Sequence, residues 1–243
     1  MKLSDKVAII TGGGRGIGRA TALLFAEAGA KVVVTAQTST EIEAVAEECR
    51  SLGTEAMAIP ADISQKAQVT AMADAVYDAY GKVDILVNNA GVAIHNLIPD
   101  ITEEDFDRTY NVNVKGLFLC TQAVFSRMCQ QGSGYIVNVS STAGKRGGPK
   151  FGAYAASKFA AIAFTQTTNA EGQAYGVKAS VVCPGPVDTV MRRANHPDDI
   201  VENLTQPEAI AEAILYLVCQ PDSAYTQELI VTTPLSVKAK VES

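Results

Sequence analysis

Residues 6–20 read KVAIITGGGRGIGRA, and this stretch decides the fold of the chain. A short apolar run at residues 7–10 meets a turn dense in glycine, and apolar residues at helical spacing follow from Ala20 onward. A strand, a glycine turn and a helix in this order point backbone N–H groups at a phosphate, where the helix N-terminus adds a partial positive charge. The stretch therefore predicts a nucleotide-binding turn, with an ordinary tight turn as the alternative.

The spacing of the glycines limits which kinds of nucleotide site the turn can form. It is Gly12-x-x-x-Gly16-x-Gly18, which differs from the G-x-G-x-x-G fingerprint of many dinucleotide-binding proteins. The turn also lacks the Gly-Lys-Ser/Thr ending of a P-loop, so a nucleoside triphosphatase is not expected.

Composition indicates one domain that spans residues 1–243. The chain is 47% hydrophobic and 19% charged, enough for a large core, and it contains no linker or low-complexity tract. The formal net charge of −6 argues against nucleic acid and anionic membranes as partners.

The numbers and spacing of cysteine and histidine predict a protein of a reducing compartment that has no metal site. The chain has 5 cysteines with no C-x-x-C pair and only 2 histidines, His95 and His196. The apolar run before the glycines is too short for a signal peptide, and no apolar segment reaches the roughly 20 residues that span a bilayer. We therefore expect a soluble cytoplasmic protein with no metal ion.

Strand and helix patterns alternate along the whole chain. Ser64 is expected to begin a helix that Gly81 ends, and Thr102 with Asp105 is expected to begin a long helix over residues 103–131. Apolar strands that alternate with helices predict an α/β fold: a Rossmann-like, doubly wound parallel sheet with helices on both faces. Strands are predicted at 7–10, 31–35, 55–60, 83–87, 135–139, 177–183 and 228–233, and the other helices at 40–52, 152–175 and 207–219.

Clusters of polar and glycine residues follow the predicted strands. In such sheets, ligands bind beyond the carboxyl ends of the strands, so these clusters are expected to share one site. They lie at residues 12–18, 62, 88–91, 140–141 and 184–189.

Ser141, Tyr154 and Lys158 form a second informative group. Tyr154 and Lys158 are four residues apart, so they share one face of a helix. An ammonium beside a phenol is expected to lower the tyrosine pKa from about 10 toward neutrality, which would make Tyr154 a general acid or base. Ser141 could bind the same substrate oxygen, although a Tyr-x-x-x-Lys spacing also arises on helices by chance.

Together these motifs resemble the short-chain dehydrogenase/reductase family, and in particular the 3-oxoacyl-acyl-carrier-protein reductases. The resemblance covers about residues 6–233. It rests on Thr11-Gly12-x-x-x-Gly16-x-Gly18, Asp62, Asn88-Asn89-Ala90-Gly91, Asn113, Ser141, Tyr154-x-x-x-Lys158 and Pro184-Gly185-Pro186-Val187-x-Thr189.

The resemblance implies four catalytic residues. Tyr154 would protonate the substrate carbonyl oxygen, and Ser141 would polarise it, while Ser140 would make a hydrogen bond at the end of its strand. Lys158 would bind the nicotinamide ribose and lower the Tyr154 pKa. Asn113, with Asn111 as the rival position, would bend the long helix and hold a water for proton relay.

The resemblance also implies the cofactor contacts. Asp62 would bind the adenine, residues 89–91 would line the cofactor, and residues 184–189 would hold its nicotinamide end. The full expected set is Gly12, Gly14, Arg15, Gly16, Ile17, Gly18, Gln37, Thr38, Asp62, Ile63, Asn89, Ala90, Gly91, Tyr154, Lys158, Pro184, Gly185, Val187 and Thr189.

The residues after the second strand favour NADP(H) over NAD(H). An NAD site places an acid there to hold the ribose 2′-hydroxyl, but this chain has Ala36 followed by Gln37 and Thr38. With no acid expected to repel a 2′-phosphate, Arg15 is expected to bind one with help from the hydroxyl of Thr38 or Ser39.

The expected function is an NADP(H)-dependent carbonyl reductase or alcohol dehydrogenase. The alternatives are an NAD-dependent alcohol dehydrogenase of the same family and a non-catalytic dinucleotide sensor. The expected partners are a small carbonyl or alcohol substrate and further copies of the chain, with the helices at 103–131 and 152–175 pairing across a dimer axis. The tail at 235–243 is expected to fray, and the C-terminal end lacks the family's closing Val-Asp-Gly-Gly.

The substrate loop, about residues 189–206, admits two interpretations. Arg192, Arg193 and His196 there, with Arg146 near the entrance, form a solvated charged loop in the favoured interpretation, and they capture an acidic substrate group in the other. His95 closely follows Gly91, so it is a further candidate to face the pocket.

Overall fold

The computed structural model describes residues 2–221 and 223–234. Its centre is a seven-stranded parallel sheet with the strand order β3-β2-β1-β4-β5-β6-β7. The strands are β1 (Val7–Thr11), β2 (Lys31–Ala36), β3 (Ala56–Pro60), β4 (Ile85–Asn88), β5 (Gly134–Val139), β6 (Val177–Pro184) and β7 (Glu228–Val231). The predicted α/β, doubly wound architecture is therefore confirmed.

Helices connect the strands and cover both faces of the sheet. They are α1 (Gly16–Glu27), α2 (Ser39–Ser51), α3 (Lys66–Tyr80), α4 (Glu103–Tyr110), α5 (Leu117–Gln131), α6 (Gly152–Gly172), α7 (Val190–Asn195) and α8 (Pro207–Val218). None of the helices in the described ranges is both long enough and apolar enough to cross a bilayer.

Alternation along each strand sends its side chains into two cores. Ala8 and Ile10 of β1 pack with Phe25 of α1 and with α2 and α8 on one face. Val7 and Ile9 of the same strand pack on the other face with residues of α3 and α5. Because both faces are covered, the strands are mostly apolar, as is typical of parallel sheets.

Three local predictions need correction. Helix α3 begins after Gln65, because the backbone N–H and hydroxyl of Ser64 both turn back to the Asp62 carboxylate. The long helix over 103–131 is interrupted by a π-helical segment at Asn111–Gly116, although Thr102 caps its start as predicted. Helix α7 lies within the predicted substrate loop. The tail at 235–243 lies outside the described residues.

The strand order places the switch point between β1 and β4. The chain winds outward from β1 through β2 to β3, then returns to β4 on the other side of β1 and winds the opposite way. At such a point the loops that follow the two central strands separate and leave a crevice for a ligand. The loop after β1 is the glycine turn quoted above, so the crevice opens beside it.

Candidate active site

A large cleft of about 1410 Å³ runs along the carboxyl ends of the strands. Loops after β1 to β6 line it, so polar clusters that are distant in sequence meet there, as predicted. The lining includes every expected cofactor residue except Gly18, and it also includes Ser141.

The glycine turn is fixed to its neighbour across the switch point. Gly12 and Gly16 have φ values of 63° and 54°, a region that favours glycine. The Thr11 hydroxyl accepts hydrogen bonds from the backbone N–H groups of Asn89 and Ala90 at 3.1 and 3.0 Å. These contacts hold the two loops at a fixed separation at the mouth of the cleft.

Gly18 has a packing role and does not line the cleft. A Cβ atom at this position would lie 2.1 Å from the carbonyl oxygen of Gly12, so any side chain would push helix α1 away from the turn. Gly18 therefore sets the close approach of α1 to the turn, and its contact with the cofactor stays a prediction.

Glu41, in the first turn of α2, is a residue that sequence reasoning missed. Its carboxylate lies 3.5 Å from the Arg15 guanidinium, and a Cβ atom on Gly14 would lie 2.9 Å from the Glu41 Cβ. The expectation that no acid faces this end of the cleft is therefore wrong. In the sequence, Glu41 reads as a favourable acid at a helix N-terminus, and only the fold brings it beneath the glycine turn.

Asp62 is held as an ionised, oriented carboxylate. Partial burial raises its pKa, but hydrogen bonds from Ser64 and from the Gln37 side chain outweigh burial and leave that pKa below the usual value. Its Oδ1 accepts from the Ser64 hydroxyl at 2.7 Å. The side chain thus presents a fixed acceptor at the end of the cleft that Gln37 and Thr38 also line.

Tyr154 and Ser141 meet in the central part of the cleft. The Ser141 hydroxyl accepts a hydrogen bond from the backbone N–H of Ala143 at 3.1 Å, which orients its oxygen. Burial raises the pKa of Tyr154, while hydrogen bonding to Ser141 and the charge of Arg192 lower it by less. The expected shift toward neutrality is therefore corrected: Tyr154 is a neutral phenol with a proton to give.

Lys158 lies one helical turn from Tyr154 and is fully buried in α6. Its Nζ donates a hydrogen bond to the carbonyl oxygen of Val139 at 3.0 Å and lies 5.7 Å from the centroid of the Tyr154 ring. Burial lowers the pKa of this lysine to about 8.

The neighbouring Ser140 has the role expected for a strand end. It is buried, and its hydroxyl donates a hydrogen bond to the backbone carbonyl of Lys158 at 2.8 Å. Ser140 therefore joins β5 to α6, and it leaves Ser141 as the serine that meets Tyr154.

Asn113 lies behind the cleft, within the π-helical segment. Its Oδ1 accepts from the backbone N–H of Val92 at 2.8 Å, and its Nδ2 donates to the carbonyl of Val92 and to the hydroxyl of Ser157. The helix is distorted at this position as expected, but the amide is engaged in binding the chain itself. The rival Asn111 is exposed and lines the cleft.

The substrate loop neutralises most of its own charge. The Arg192 Nε donates to Asp199 at 2.5 Å, and Arg192 itself lines the cleft. Arg193, which is not part of the lining, binds Asp188 through two hydrogen bonds. Arg146 lies at the cleft wall. This arrangement supports the interpretation of a charged loop over the capture of an acidic group.

An aromatic cluster lies at the end of the cleft beside Tyr154. The sequence analysis identified only part of this cluster. His95 lies with its ring centroid 4.4 Å from that of Phe151 and 5.5 Å from that of Tyr154, and His196 lies 5.2 Å from His95. Phe151 carried no signal in the sequence beyond its place in a glycine-rich loop.

The fold and the site define a short-chain oxidoreductase, and comparison with known proteins agrees. Residues 6–200 match the short chain dehydrogenase family, so the chain belongs to that family. It is 38% identical over 229 residues to a 3-oxoacyl-[acyl-carrier-protein] reductase of Synechocystis sp., and the alignment covers 92% of this chain and 93% of the relative. The resemblance to that group of reductases is confirmed.

Solved structures with the same fold bind either nicotinamide dinucleotide. An alcohol dehydrogenase from Thermococcus sibiricus, complexed with 5-hydroxy-NADP, is 29% identical with a TM-score of 0.88, over 94% of this chain and 97% of that one. An NAD⁺-bound xylitol dehydrogenase is 27% identical with a TM-score of 0.89, over 96% of this chain and all (100%) of that one. These structures leave both cofactors open for this chain.

Proposed function

We propose that the protein transfers a hydride between NADP(H) and a carbonyl or secondary alcohol substrate, in the manner of a 3-oxoacyl reductase. The observation that carries this proposal is the meeting of Ser141, Tyr154 and Lys158 at one point of the cleft, on the side away from Asp62. The name of the Synechocystis relative supports the direction of carbonyl reduction.

The residues at the mouth of the cleft fit a dinucleotide. Arg15 occupies the N-cap of α1 without capping the helix by its side chain, so the N–H groups of the first turn are available to an anion. The glycine turn would hold the pyrophosphate, Asp62 the adenine, and residues 184–189 the nicotinamide. When bound, the nicotinamide supplies the hydride.

The proton comes from the protein. Tyr154 donates its phenolic proton to the carbonyl oxygen as the carbonyl carbon accepts the hydride, and Ser141 donates a hydrogen bond to the same oxygen. The buried Lys158 ammonium stabilises the phenolate that forms, which then regains a proton from solvent. A raised tyrosine pKa suits this role, because the group is protonated throughout the neutral range.

We favour NADP(H) because of the charge at Arg15. The Arg15–Glu41 pair is exposed, with 64% and 36% of the two side chains accessible, and such pairs contribute only about 0–1 kcal/mol. A hydrogen bond between a charged group and a phosphate contributes about 1.5–3 kcal/mol, so Arg15 can exchange Glu41 for a 2′-phosphate. The position of Glu41 also favours NAD(H), since its carboxylate could accept hydrogen bonds from the ribose hydroxyls.

The proposal extends to a homo-oligomer built on α5 and α6. Phe118 of α5 and Phe159 of α6 are 40% and 47% exposed, and the Phe118 ring contacts Phe164 of α6 edge to face at 5.9 Å. Neighbouring exposed aromatic rings on two adjacent helices are typical of a surface that another subunit covers.

A panel of ketones with NADPH and NADH tests the function. We expect the wild-type protein to oxidise NADPH only when a ketone is present, and Tyr154→Phe to lower kcat by about 10²–10⁴-fold, since the acid is lost while the ring is kept. Dinucleotide affinity should change little in this variant. Tight binding of NADPH without turnover of any ketone would indicate the sensor alternative, and full activity of the variant would contradict the assigned acid.

A further inference from the structure

A second, smaller pocket lies beside the cleft, and the mechanism above does not use it. Its volume is about 320 Å³, near the lower end of the range for small-molecule sites. We call this pocket the side groove. Its lining comes from two loops, with Leu97, Ile98 and Pro99 after β4 and with Gly148, Pro149 and Gly152 around the start of α6.

The side groove and the cleft meet at Gly148. This glycine lines both of them, and a Cβ atom on it would lie 3.3 Å from the Phe151 ring. Phe151 lines the cleft, and its ring centroid lies 6.2 Å from that of Tyr154. The side groove therefore adjoins the cleft at the end that holds the catalytic tyrosine, with the Phe151 ring beside the junction.

The two loops that form the side groove are joined to each other. Asn96 and Phe151 form a parallel β-bridge, which ties the loop after β4 to the loop before α6. A Cβ atom on Gly152 would lie 3.0 Å from the Ile101 side chain, so the two segments are closely packed there. Lys150 has a φ value of 68°, a conformation that residues other than glycine adopt at a cost and keep where the surrounding structure requires it. The side groove is therefore present before a ligand binds.

The lining of the side groove is mostly apolar. Leu97 and Ile98 are 50% and 81% exposed, although large apolar side chains gain free energy when they leave water. Among the described residues of the lining, Lys150 alone is charged, and it is exposed, so its ammonium can stay in water. Exposed apolar side chains around a concave surface that adjoins an active site favour an apolar part of a ligand.

We propose that the side groove binds the alkyl tail of a 3-oxoacyl substrate, so that the protein prefers medium-length acyl chains to short ones. The reacting carbonyl of such a substrate lies between an alkyl tail and a thioester. The tail is the apolar one of these two groups and fits the side groove, whereas the polar thioester stays in the larger cleft. This inference rests on the proposed reductase function and adds a chain-length preference to it.

Three thioesters of N-acetylcysteamine test the proposal: 3-oxobutanoyl, 3-oxohexanoyl and 3-oxooctanoyl, each with NADPH. We expect the kcat/KM of the wild type to rise about two- to four-fold for each added methylene, since each methylene leaves water as it enters the side groove. Ile98→Asp should lower kcat/KM for the 3-oxooctanoyl thioester about ten-fold, because the tail would cover a carboxylate that must stay hydrated. The same variant should leave the 3-oxobutanoyl thioester unchanged, since its tail is a single methyl group.

A matched control is Ile200→Asp. Ile200 is 62% exposed and lines neither the cleft nor the side groove, so this variant should keep the chain-length dependence of the wild type. A wild type without that dependence, or an Ile98→Asp variant that keeps it, would overturn the proposal. An equal loss for all three thioesters would also overturn it, because the residue would then act on the reaction or the fold in general.

Sedimentation of Ile98→Asp tests the other occupant of the side groove, a second copy of the chain. A shift toward monomer with an unchanged chain-length dependence would assign the side groove to a subunit contact and overturn the proposal. Absence of turnover of every thioester and ketone by the wild type would instead remove the reductase function itself.

Discussion

At Tyr154 and Lys158, burial acts in opposite directions on two neighbouring side chains. It raises the pKa of the phenol and lowers that of the ammonium to about 8. Burial disfavours the charged form of each group, so the acid loses its proton less readily and the base more readily. In the free protein, Lys158 is therefore the first of the two to lose its proton as the pH rises.

This order predicts the alkaline limb of the pH profile. The kcat/KM for NADPH reports the free protein, so it should fall above about pH 8 as the Lys158 ammonium is lost, while Tyr154 is still protonated. Lys158→Arg keeps the positive charge at high pH. We expect this variant to be less active than the wild type, and we expect its kcat/KM to fall only at a higher pH. Initial rates across a constant-ionic-strength buffer series measure this, and an alkaline limb at the same pH in both proteins would assign it elsewhere.

The proposed preference for NADP(H) is tested at Arg15 and Glu41. We expect Arg15→Ala to lower kcat/KM for NADPH about ten-fold or more and to change the value for NADH little, since only NADPH carries the 2′-phosphate. Glu41→Gln removes the competing carboxylate and should raise the preference for NADPH. Steady-state kinetics with both cofactors measures the ratio, and a wild-type preference for NADH would contradict the proposal.

Among the elements, the π-helical segment between α4 and α5 is the one most closely tied to the site. Its Asn113 forms hydrogen bonds to both backbone groups of Val92, in the loop after β4, and to Ser157, one residue before Lys158. A single amide thus joins a helix to the loop after β4 and to α6. The distortion of the helix aims this amide at both neighbours at once.

Asn113→Ala should destabilise the fold through this element. Without the amide, the partly buried backbone groups of Val92 and the buried Ser157 lose a hydrogen-bond partner, so we expect the free energy of unfolding to fall by about 1–3 kcal/mol. Asn111→Ala, in the same segment but exposed, should change it by no more than about 0.5 kcal/mol. Urea denaturation of both variants measures this, and equal losses would show that the bonds to Val92 contribute little.

Patterns that depend on local spacing could be predicted from the sequence, including the strands, the fold and most of the cleft lining. Contacts between distant segments could not. Nothing in the sequence singles out Glu41 or Phe151, because neither position reveals what the fold places opposite it. Local charge reasoning also failed at Tyr154, since the depth of burial that raises its pKa is a property of the assembled cleft.

At the scale of the whole molecule, the strand order of the sheet separates the two ends of the cleft. Asp62 after β3 lies toward one side of the sheet and Ser141 after β5 toward the other. The glycine turn after β1 lies between them, where a Cβ atom on Gly16 would lie 3.2 Å from the Thr189 side chain. A ligand that contacts both Asp62 and Ser141 must span four strand spacings, about 19 Å, so it is an extended molecule. Helices α5 and α6 pack against the part of the sheet that carries Ser141. Because Lys158 belongs to α6, the outer surface of these two helices is connected to the site through this residue.

The outer surface of α5 and α6 is where we expect a second copy of the chain to bind. Burying Phe118 and Phe159 against a second copy would remove apolar surface from water, whereas a glutamate in either place would put an unpaired charge into the contact. We expect the wild-type protein to sediment as a dimer or larger assembly, and the double variant Phe118→Glu/Phe159→Glu to shift toward monomer. Leu52→Glu, an exposed apolar position at the end of α2, should leave the assembly intact. A monomeric wild type, or an unaltered assembly in the double variant, would show that these rings face solvent or another partner.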